Sequence, residues 1–216
     1  MAQLVSPSIL SADFLNLQKD IEMLNESQAD WFHIDVMDGV FVPNITFGFP
    51  IIKQIRKIAT KPLDVHLMIV NPERYLKSFM DAGADVLTVH IEACPHLHRT
   101  IQEIKDLGMK AGVAVNPHTS IVQLEEILDF ADMILLMSVN PGFGGQKFIT
   151  STIEKIEKLK AMIVEKNAET IIQLDGGVDI HNAADIVAAG VDCLVAGSAV
   201  FSADNPLIAI EQLKKA

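Results

Sequence analysis

Four residues spread along the chain, His33, Asp35, His66 and Asp175, are of the two side-chain types that ligate borderline metal ions and carry protons. His33 and Asp35 interrupt an apolar run, Trp31-Phe32-His33-Ile34-Asp35-Val36-Met37. Residues two apart on a strand share a face, so both side chains point the same way. Burying an imidazole beside a carboxylate is costly unless the groups are paired, ligated or catalytic. The plainest alternative is a buried ion pair that only fixes packing. Asp64-Val65-His66 and Leu174-Asp175-Gly176-Gly177 place the other polar residues at the ends of two further apolar runs. Two histidines and two carboxylates form an N/O donor set for Zn²⁺, with Fe²⁺, Mn²⁺ or Co²⁺ also suited. Asp64 shares the parity of His66, but its position nearer the start of its run assigns it a structural role.

Such a donor set points to a definite reaction. A proton beside a carbonyl is too weakly acidic for a side chain to remove unaided. A metal on the carbonyl and the adjacent hydroxyl stabilises the enediolate that forms. One carboxylate then takes the proton from one face, and a second, as the acid, returns it to the other. The result is inversion at that carbon, an epimerisation. Asn140-Pro141-Gly142-Phe143-Gly144-Gly145-Gln146, Gly176-Gly177 and Gly197-Ser198 are glycine turns whose backbone N–H groups suit a phosphate. Glycine also serves tight turns for their own sake, but their place at adjoining strand ends favours phosphate. Met37, Met68 and Met137 either fill core gaps or cover a reaction intermediate. Ser8 either touches substrate or ends a strand by bonding backbone. His90, with Glu92 two residues on, reads as part of a supporting or structural network. His96, His98, His118 and His181 read as solvated.

The elements that must position these residues repeat. Strands are expected at Val5–Leu10, Trp31–Asp35, Leu63–Met68, Val86–His90, Ala111–Val115, Met133–Met137, Ile171–Leu174 and Cys193–Ala196. Amphipathic stretches lie between them, at Asp13–Asn25, Pro50–Ile58, Pro72–Ala82, Leu97–Leu107, Ile121–Asp129, Ser151–Glu165, Asn182–Ala189 and Pro206–Lys214. Ala29-Asp30, Gly83-Ala84-Asp85, Ala131-Asp132 and Gly190-Val191-Asp192 each precede a strand, the mark of a recurring unit. The strands are too apolar for a sheet with one wet face, so the sheet is parallel and covered on both. The expected fold is α/β: a single (β/α)₈ TIM barrel over residues 1–216, with a doubly wound open sheet as its rival. Two long connections, Val36 to about Phe49 and Ser138–Thr150, fall where barrels build their sites.

Composition narrows the function. Of 216 residues, 50% are hydrophobic and only 6% aromatic, so an aliphatic core is ample. A net charge of −11 argues against a nucleic-acid partner. No apolar run reaches about 18 residues, so no membrane span is expected, and no signal peptide is expected at the N-terminus. Cys94 and Cys193 form no CxxC pair; the expected location is cytoplasmic.

The motifs carry a close resemblance. His33-x-Asp35-x-Met37-Asp38-Gly39 running to Phe41-Val42-Pro43-Asn44, and Met137-Ser138-Val139-Asn140-Pro141-Gly142-Phe143-Gly144-Gly145-Gln146, resemble the two signatures of ribulose-phosphate 3-epimerases. Pro7-Ser8-Ile9-Leu10-Ser11-Ala12-Asp13, His66-Leu67-Met68, Asp175-Gly176-Gly177 and Ala196-Gly197-Ser198 match as well. Gln173-Leu174 departs from the Glu-Val expected there. The resemblance implies a metal-dependent barrel that interconverts D-ribulose 5-phosphate and D-xylulose 5-phosphate in the pentose phosphate pathway, working as a homo-oligomer. It implies that Asp35 and Asp175 are the acid/base pair and that His33, Asp35, His66 and Asp175 ligate one divalent ion. Ser8 and His66 would contact substrate, Gly142, Phe143, Gly144, Gly145, Gly176, Gly177, Gly197 and Ser198 would hold its phosphate end, and the three methionines would line the intermediate. The alternatives are a six-carbon substrate such as allulose 6-phosphate, or a non-catalytic sugar-phosphate-binding barrel.

Overall fold

In the computed structural model, residues 3–216 are described, so the first two residues of the expected 1–216 domain lie outside it. Eight strands form one parallel sheet: β1 (Leu4–Pro7), β2 (Phe32–Met37), β3 (Leu63–Met68), β4 (Val86–His90), β5 (Lys110–Val115), β6 (Met133–Met137), β7 (Ile171–Asp175) and β8 (Cys193–Ala196). From β2 to β8 each strand pairs with its sequence neighbours, and β1 pairs with β8. A bridge between Ser8 and His33 joins the end of β1 to β2, which leaves a nearly closed barrel rather than an open doubly wound sheet. Helices α1 (Leu17–Glu26), α2 (Phe49–Ile58), α3 (Leu76–Ala82), α4 (Leu97–Asp106), α5 (Thr152–Lys166) and α6 (Ala183–Ala188) lie between strands, and α7 (Ser198–Phe201) and α8 (Pro206–Lys214) follow β8. Their apolar faces pack on the strands as one continuous core containing Phe32, Leu63, Phe79, Leu136, Ile156 and Leu194.

Several expected boundaries shift, each for a local reason. The first strand stops at Pro7 rather than Leu10, because the Ser8 side chain accepts the Leu10 N–H and starts a tight 3₁₀ turn over Ile9–Ser11. The stretch Ile121–Asp129, expected as an α-helix, is a 3₁₀ helix over Ile121–Ile127, begun by Ser120 accepting the Val122 N–H. Pro72–Ala82 divides into a 3₁₀ turn at Pro72–Arg74 and α3, with the break at Tyr75. Asp13–Asn16 remains a turn because Asp13 accepts the Leu15 N–H, so α1 begins at Leu17.

The repeated Asp before alternate strands has a single purpose. Asp30, Asp85, Asp132 and Asp192 precede β2, β4, β6 and β8. Each carboxylate accepts a backbone N–H from the preceding strand: Val5 at 2.7 Å, and Leu63, Ala111 and Ile172 at 2.8 Å. Each aspartate also donates its own N–H to the carbonyl of that same residue, at 2.8 to 3.0 Å. A cation faces every carboxylate: Lys214, Arg56, Lys105 and Lys160 in turn. The barrel is thus four copies of a strand-pair clamp at its N-terminal rim, which leaves the C-terminal rim to differ strand by strand.

Candidate active site

Parallel register carries the polar residues to one depth. β2 and β3 pair His33 with Asp64 and Asp35 with His66, and β7 aligns Asp175 with Met137 of β6. One ligand atom from each of His33, Asp35, His66 and Asp175 lies within 4.8 Å of every other. His66 Nδ1 stands 3.2 Å from Asp35 Oδ1 and 3.9 Å from Asp175 Oδ2, and His33 Nε2 stands 3.4 Å from Asp35 Oδ1. Both histidines are wholly buried.

The surroundings set each group's charge. Burial alone would raise the Asp35 carboxyl, but the imidazoles of His33 and His66 overcome it and hold Asp35 far below the usual carboxylate range. For Asp175, burial and the nearby Asp35 charge act together and push the carboxyl up to about 7. Burial opposes charge on His33, yet the flanking Asp35 and Asp64 carboxylates raise it well above an ordinary imidazole. Burial prevails at His66 and lowers it. His90 is lowered by burial to about 4 despite its hydrogen bond to Glu92. Burial opposes the charge on Glu92, but bonds from His90, Thr119 and the Asn116 N–H hold it at about 2.

The donor set fits a divalent cation on its own geometry. His33 Nε2 is buried and has no hydrogen-bond partner, while its other nitrogen, Nδ1, is fixed 2.8 Å from Asp64 Oδ2. An imidazole anchored on one side by a carboxylate and open on the other is how metal-ligating histidines are oriented. Cation and proton compete for the same His33 nitrogen.

Asp64 therefore does more than pack. Its Oδ2 takes bonds from His33, from Ser6 Oγ at 3.2 Å and from Gln173 Nε2 at 2.6 Å. The amide of Gln173 supplies a donor there that a glutamate would supply only when protonated. Ser6, Gln173 and the His66–His90 contact were not foreseen, since each bond joins different strands and depends on register. Ser8 Oγ accepts the Leu10 N–H, so it does end the strand by bonding backbone, and it also donates to Asp35 Oδ2 at 2.5 Å. Asp38 accepts from the N–H groups of Val40, Phe41 and Val70 and pins the long connection after β2. His96, His98, His118 and His181 are exposed.

An open cleft adjoins the cluster. Asp35 and Asp175 form its floor with Ser8, Met37, Met68 and Met137. Gly142, Phe143, Gly144, Gly145, Gly176, Gly177, Gly197 and Ser198 form its far wall. His33 and His66 do not line the cleft and are wholly buried beside the two carboxylates. Gly176 and Gly177 are left-handed, at φ 119° and 64°, and a Cβ would come within 2.5 Å of the Val139 side chain and the Phe148 backbone nitrogen respectively. Asn44 Nδ2 donates to the Gly142 carbonyl at 2.8 Å, tying the connection after β2 to the one after β6.

A parallel barrel with an N/O cluster under a glycine-walled cleft at its C-terminal rim is the architecture of a TIM-barrel enzyme with a site able to hold a metal ion. A family model described as the ribulose-phosphate 3 epimerase family matches residues 4–201. The chain is 53% identical over 211 residues to ribulose-phosphate 3-epimerase of Bacillus subtilis (strain 168), covering 97% of each. It is 52% identical over 203 residues to the enzyme of that name from Synechocystis sp., covering 93% of this chain and 88% of the relative. It belongs to the ribulose-phosphate 3-epimerase family and is an isomerase. In fold it is similar to KGPDC from Streptococcus mutans, with a TM-score of 0.74, 16% identity and coverage of 100% of this chain and 97% of that one. Among the described residues, no helix is long and apolar enough to cross a membrane.

Proposed function

We propose that this epimerase interconverts D-ribulose 5-phosphate and D-xylulose 5-phosphate by moving the proton at C3, a step of the pentose phosphate pathway. One observation carries the reading: the carboxyls of Asp35 and Asp175 line one cleft within a cluster whose ligand atoms lie within 4.8 Å of one another, and without metal Asp35 is held ionised while Asp175 is raised to about 7. An ionised carboxylate accepts a proton while its protonated counterpart gives one, and the roles exchange in the reverse direction. Ser8, donating to Asp35 Oδ2, leaves Oδ1 facing the histidines. His33, Asp35, His66 and Asp175 would hold one divalent ion, Zn²⁺ first by its preference for such donors, with Fe²⁺, Mn²⁺ or Co²⁺ as alternatives. When bound, that ion supplies Lewis-acid stabilisation of the charge developing on the substrate oxygens as the proton leaves.

The far wall would take the phosphate through the backbone N–H groups of Gly142–Gly145, Gly176, Gly177, Gly197 and Ser198. Met37, Met68 and Met137 would cover the reacting carbon and keep water from it. Ser8 at the cleft is placed to touch substrate; His66, wholly buried, would meet it through the metal site. The whole chain works as one domain in this reading, in a cytoplasmic homo-oligomer.

The test is turnover of D-ribulose 5-phosphate in D₂O. Deuterium should enter C3 as xylulose 5-phosphate forms, stop on chelation and resume on adding back metal. Sugar-phosphate binding without C3 exchange would instead identify a non-catalytic barrel. Comparing kcat/KM with that for allulose 6-phosphate sets the preferred chain length.

A further inference from the structure

His66 is held from behind by a chain of hydrogen-bonded groups, buried at His90 and part-exposed at Glu92, that the reaction does not use directly. Its Nε2 lies 2.9 Å from His90 Nε2, and His90 Nδ1 lies 3.0 Å from Glu92 Oε2. The other oxygen, Glu92 Oε1, accepts the Asn116 backbone N–H at 2.8 Å and the hydroxyl of Thr119. Both histidines are fully buried and stack with ring centroids 5.0 Å apart.

The direction of every proton in this chain follows from its far end. A backbone N–H can only donate, so Glu92 Oε1 must accept. An ionised carboxylate has no proton to offer, so His90 Nδ1 donates to Oε2 and His90 Nε2 is left as an acceptor. The contact between the two Nε2 atoms needs one donor, which must be His66. His66 is then protonated at Nε2 and bare at Nδ1, which stands 3.2 Å from the ionised Asp35 Oδ1 and 3.9 Å from Asp175 Oδ2. Two facing acceptors at 3.2 Å are reconciled by a cation between them, or else by a proton on Nδ1 that the Glu92 end of the chain opposes. We propose that Glu92 and His90 are positioning residues that fix the tautomer of His66, keeping its Nδ1 lone pair turned toward the divalent-cation site. This rests on the metal reading of the cluster given above.

An isosteric change reverses the chain. In Glu92→Gln the Asn116 N–H still requires an oxygen at the Oε1 position, so the NH₂ group faces His90 Nδ1 and donates to it. His90 must then donate from Nε2, His66 accepts there, and its proton moves to Nδ1, where it blocks the cation. Two measurements on the full chain decide this. The ¹⁵N signals of His66 in metal-free protein report which nitrogen carries the proton. Competition against a chelator reports Co²⁺ affinity. The expected result is protonation at Nε2 in wild type and at Nδ1 in Glu92→Gln, with affinity lower by about 10–100-fold and an unchanged metal-free melting temperature. Thr119→Val, which keeps the Asn116 donor, should hold the wild-type tautomer and stay within about threefold in affinity, the scale of a supporting contact below that range.

An unchanged His66 tautomer in Glu92→Gln, or a reversed tautomer with wild-type Co²⁺ affinity, overturns the proposal. Should Glu92→Gln fail to fold, Glu92→Met offers neither donor nor acceptor; mixed tautomers with weakened binding support the chain, and a single Nε2 tautomer overturns it. Failure of wild type to take up Co²⁺ would overturn the metal reading instead, and the metal-free ¹⁵N signals would still show whether Glu92 orders the protons.

Discussion

At the base of this barrel four aspartates do one job four times; at its mouth three aspartates within reach of one another do three different jobs. Asp30, Asp85, Asp132 and Asp192 each clamp a strand pair, face a cation and stay 25–49% exposed. Asp35, Asp64 and Asp175 are at most 17% exposed and share only a pair of histidines. One is held ionised between imidazoles, one orients His33, and one is pushed toward its neutral form. Repetition at the base serves stability, where every strand pair poses the same problem. Differentiation at the mouth serves chemistry, which needs unlike states of like groups, and burial with unlike neighbours creates them.

Asp175→Asn tests this division most severely. It should lower kcat by roughly 10²–10⁴-fold, the usual worth of a general acid or base. Because burial and Asp35 already penalise the Asp175 charge, the metal-free variant should melt no lower than wild type. The pH dependence has a definite sign. A carboxyl raised to about 7 in the fold gives stability that is full below the ordinary carboxylate range and is lost as pH rises through about 7. Metal-free wild type should therefore lose stability between about pH 4 and 7 through this group, and Asp175→Asn should remove that loss. A variant less stable than wild type across this window would erase the contrast between base and mouth.

Gly177→Ala has a smaller expected effect and tests the far wall. The new Cβ would meet the Phe148 backbone nitrogen at 2.5 Å, and backbone cannot rotate aside. Strain of about 1–3 kcal/mol is expected from a left-handed non-glycine residue. The turn should relax by shifting the backbone that lines the cleft. KM for the sugar phosphate should rise about tenfold or more, as about 1.4 kcal/mol of lost binding implies, while Co²⁺ affinity stays at the wild-type value. A fall in metal affinity would mean that wall and floor are one unit.

The base was more legible in the sequence than the mouth. The pre-strand Asp recurs at matching points of alternate units, so its periodicity marks a repeated structural task before any contact is known. β3, β4, β6 and β8 follow directly from apolar runs bounded by turn residues. His33 and Asp35 were also legible, because period two places them on one face. Their partners were not. Asp64 reaches His33 through strand register, and Glu92 reaches His66 only by way of His90. Such links depend on how neighbouring strands align, which no local pattern encodes. The Ile121–Ile127 segment misleads for a related reason: its apolar spacing suits α- and 3₁₀-helices alike, and the choice falls to the Ser120 cap and the packing of Ile121, Leu124 and Ile127.

The smallest predicted effects separate the two components of one basal clamp. In Asp132→Ala the Ala111 N–H loses its acceptor, and Lys105 loses its partner. The lost hydrogen bond to a charged group should cost about 1.5–3 kcal/mol, read as a lower denaturant midpoint with unchanged kcat at 25 °C. Lys105→Met removes the ion pair, whose side chains are 44% and 32% exposed, and the Nζ bond to the Phe130 carbonyl, and keeps the carboxylate on the backbone N–H. Its cost should stay below about 1 kcal/mol and shrink with added salt. If the lysine variant matched the aspartate one, the clamp would be electrostatic, and the repeated Asp would need its cation more than its strand. The more buried Lys214–Asp30 pair, at 16% and 27%, is where that outcome would show first.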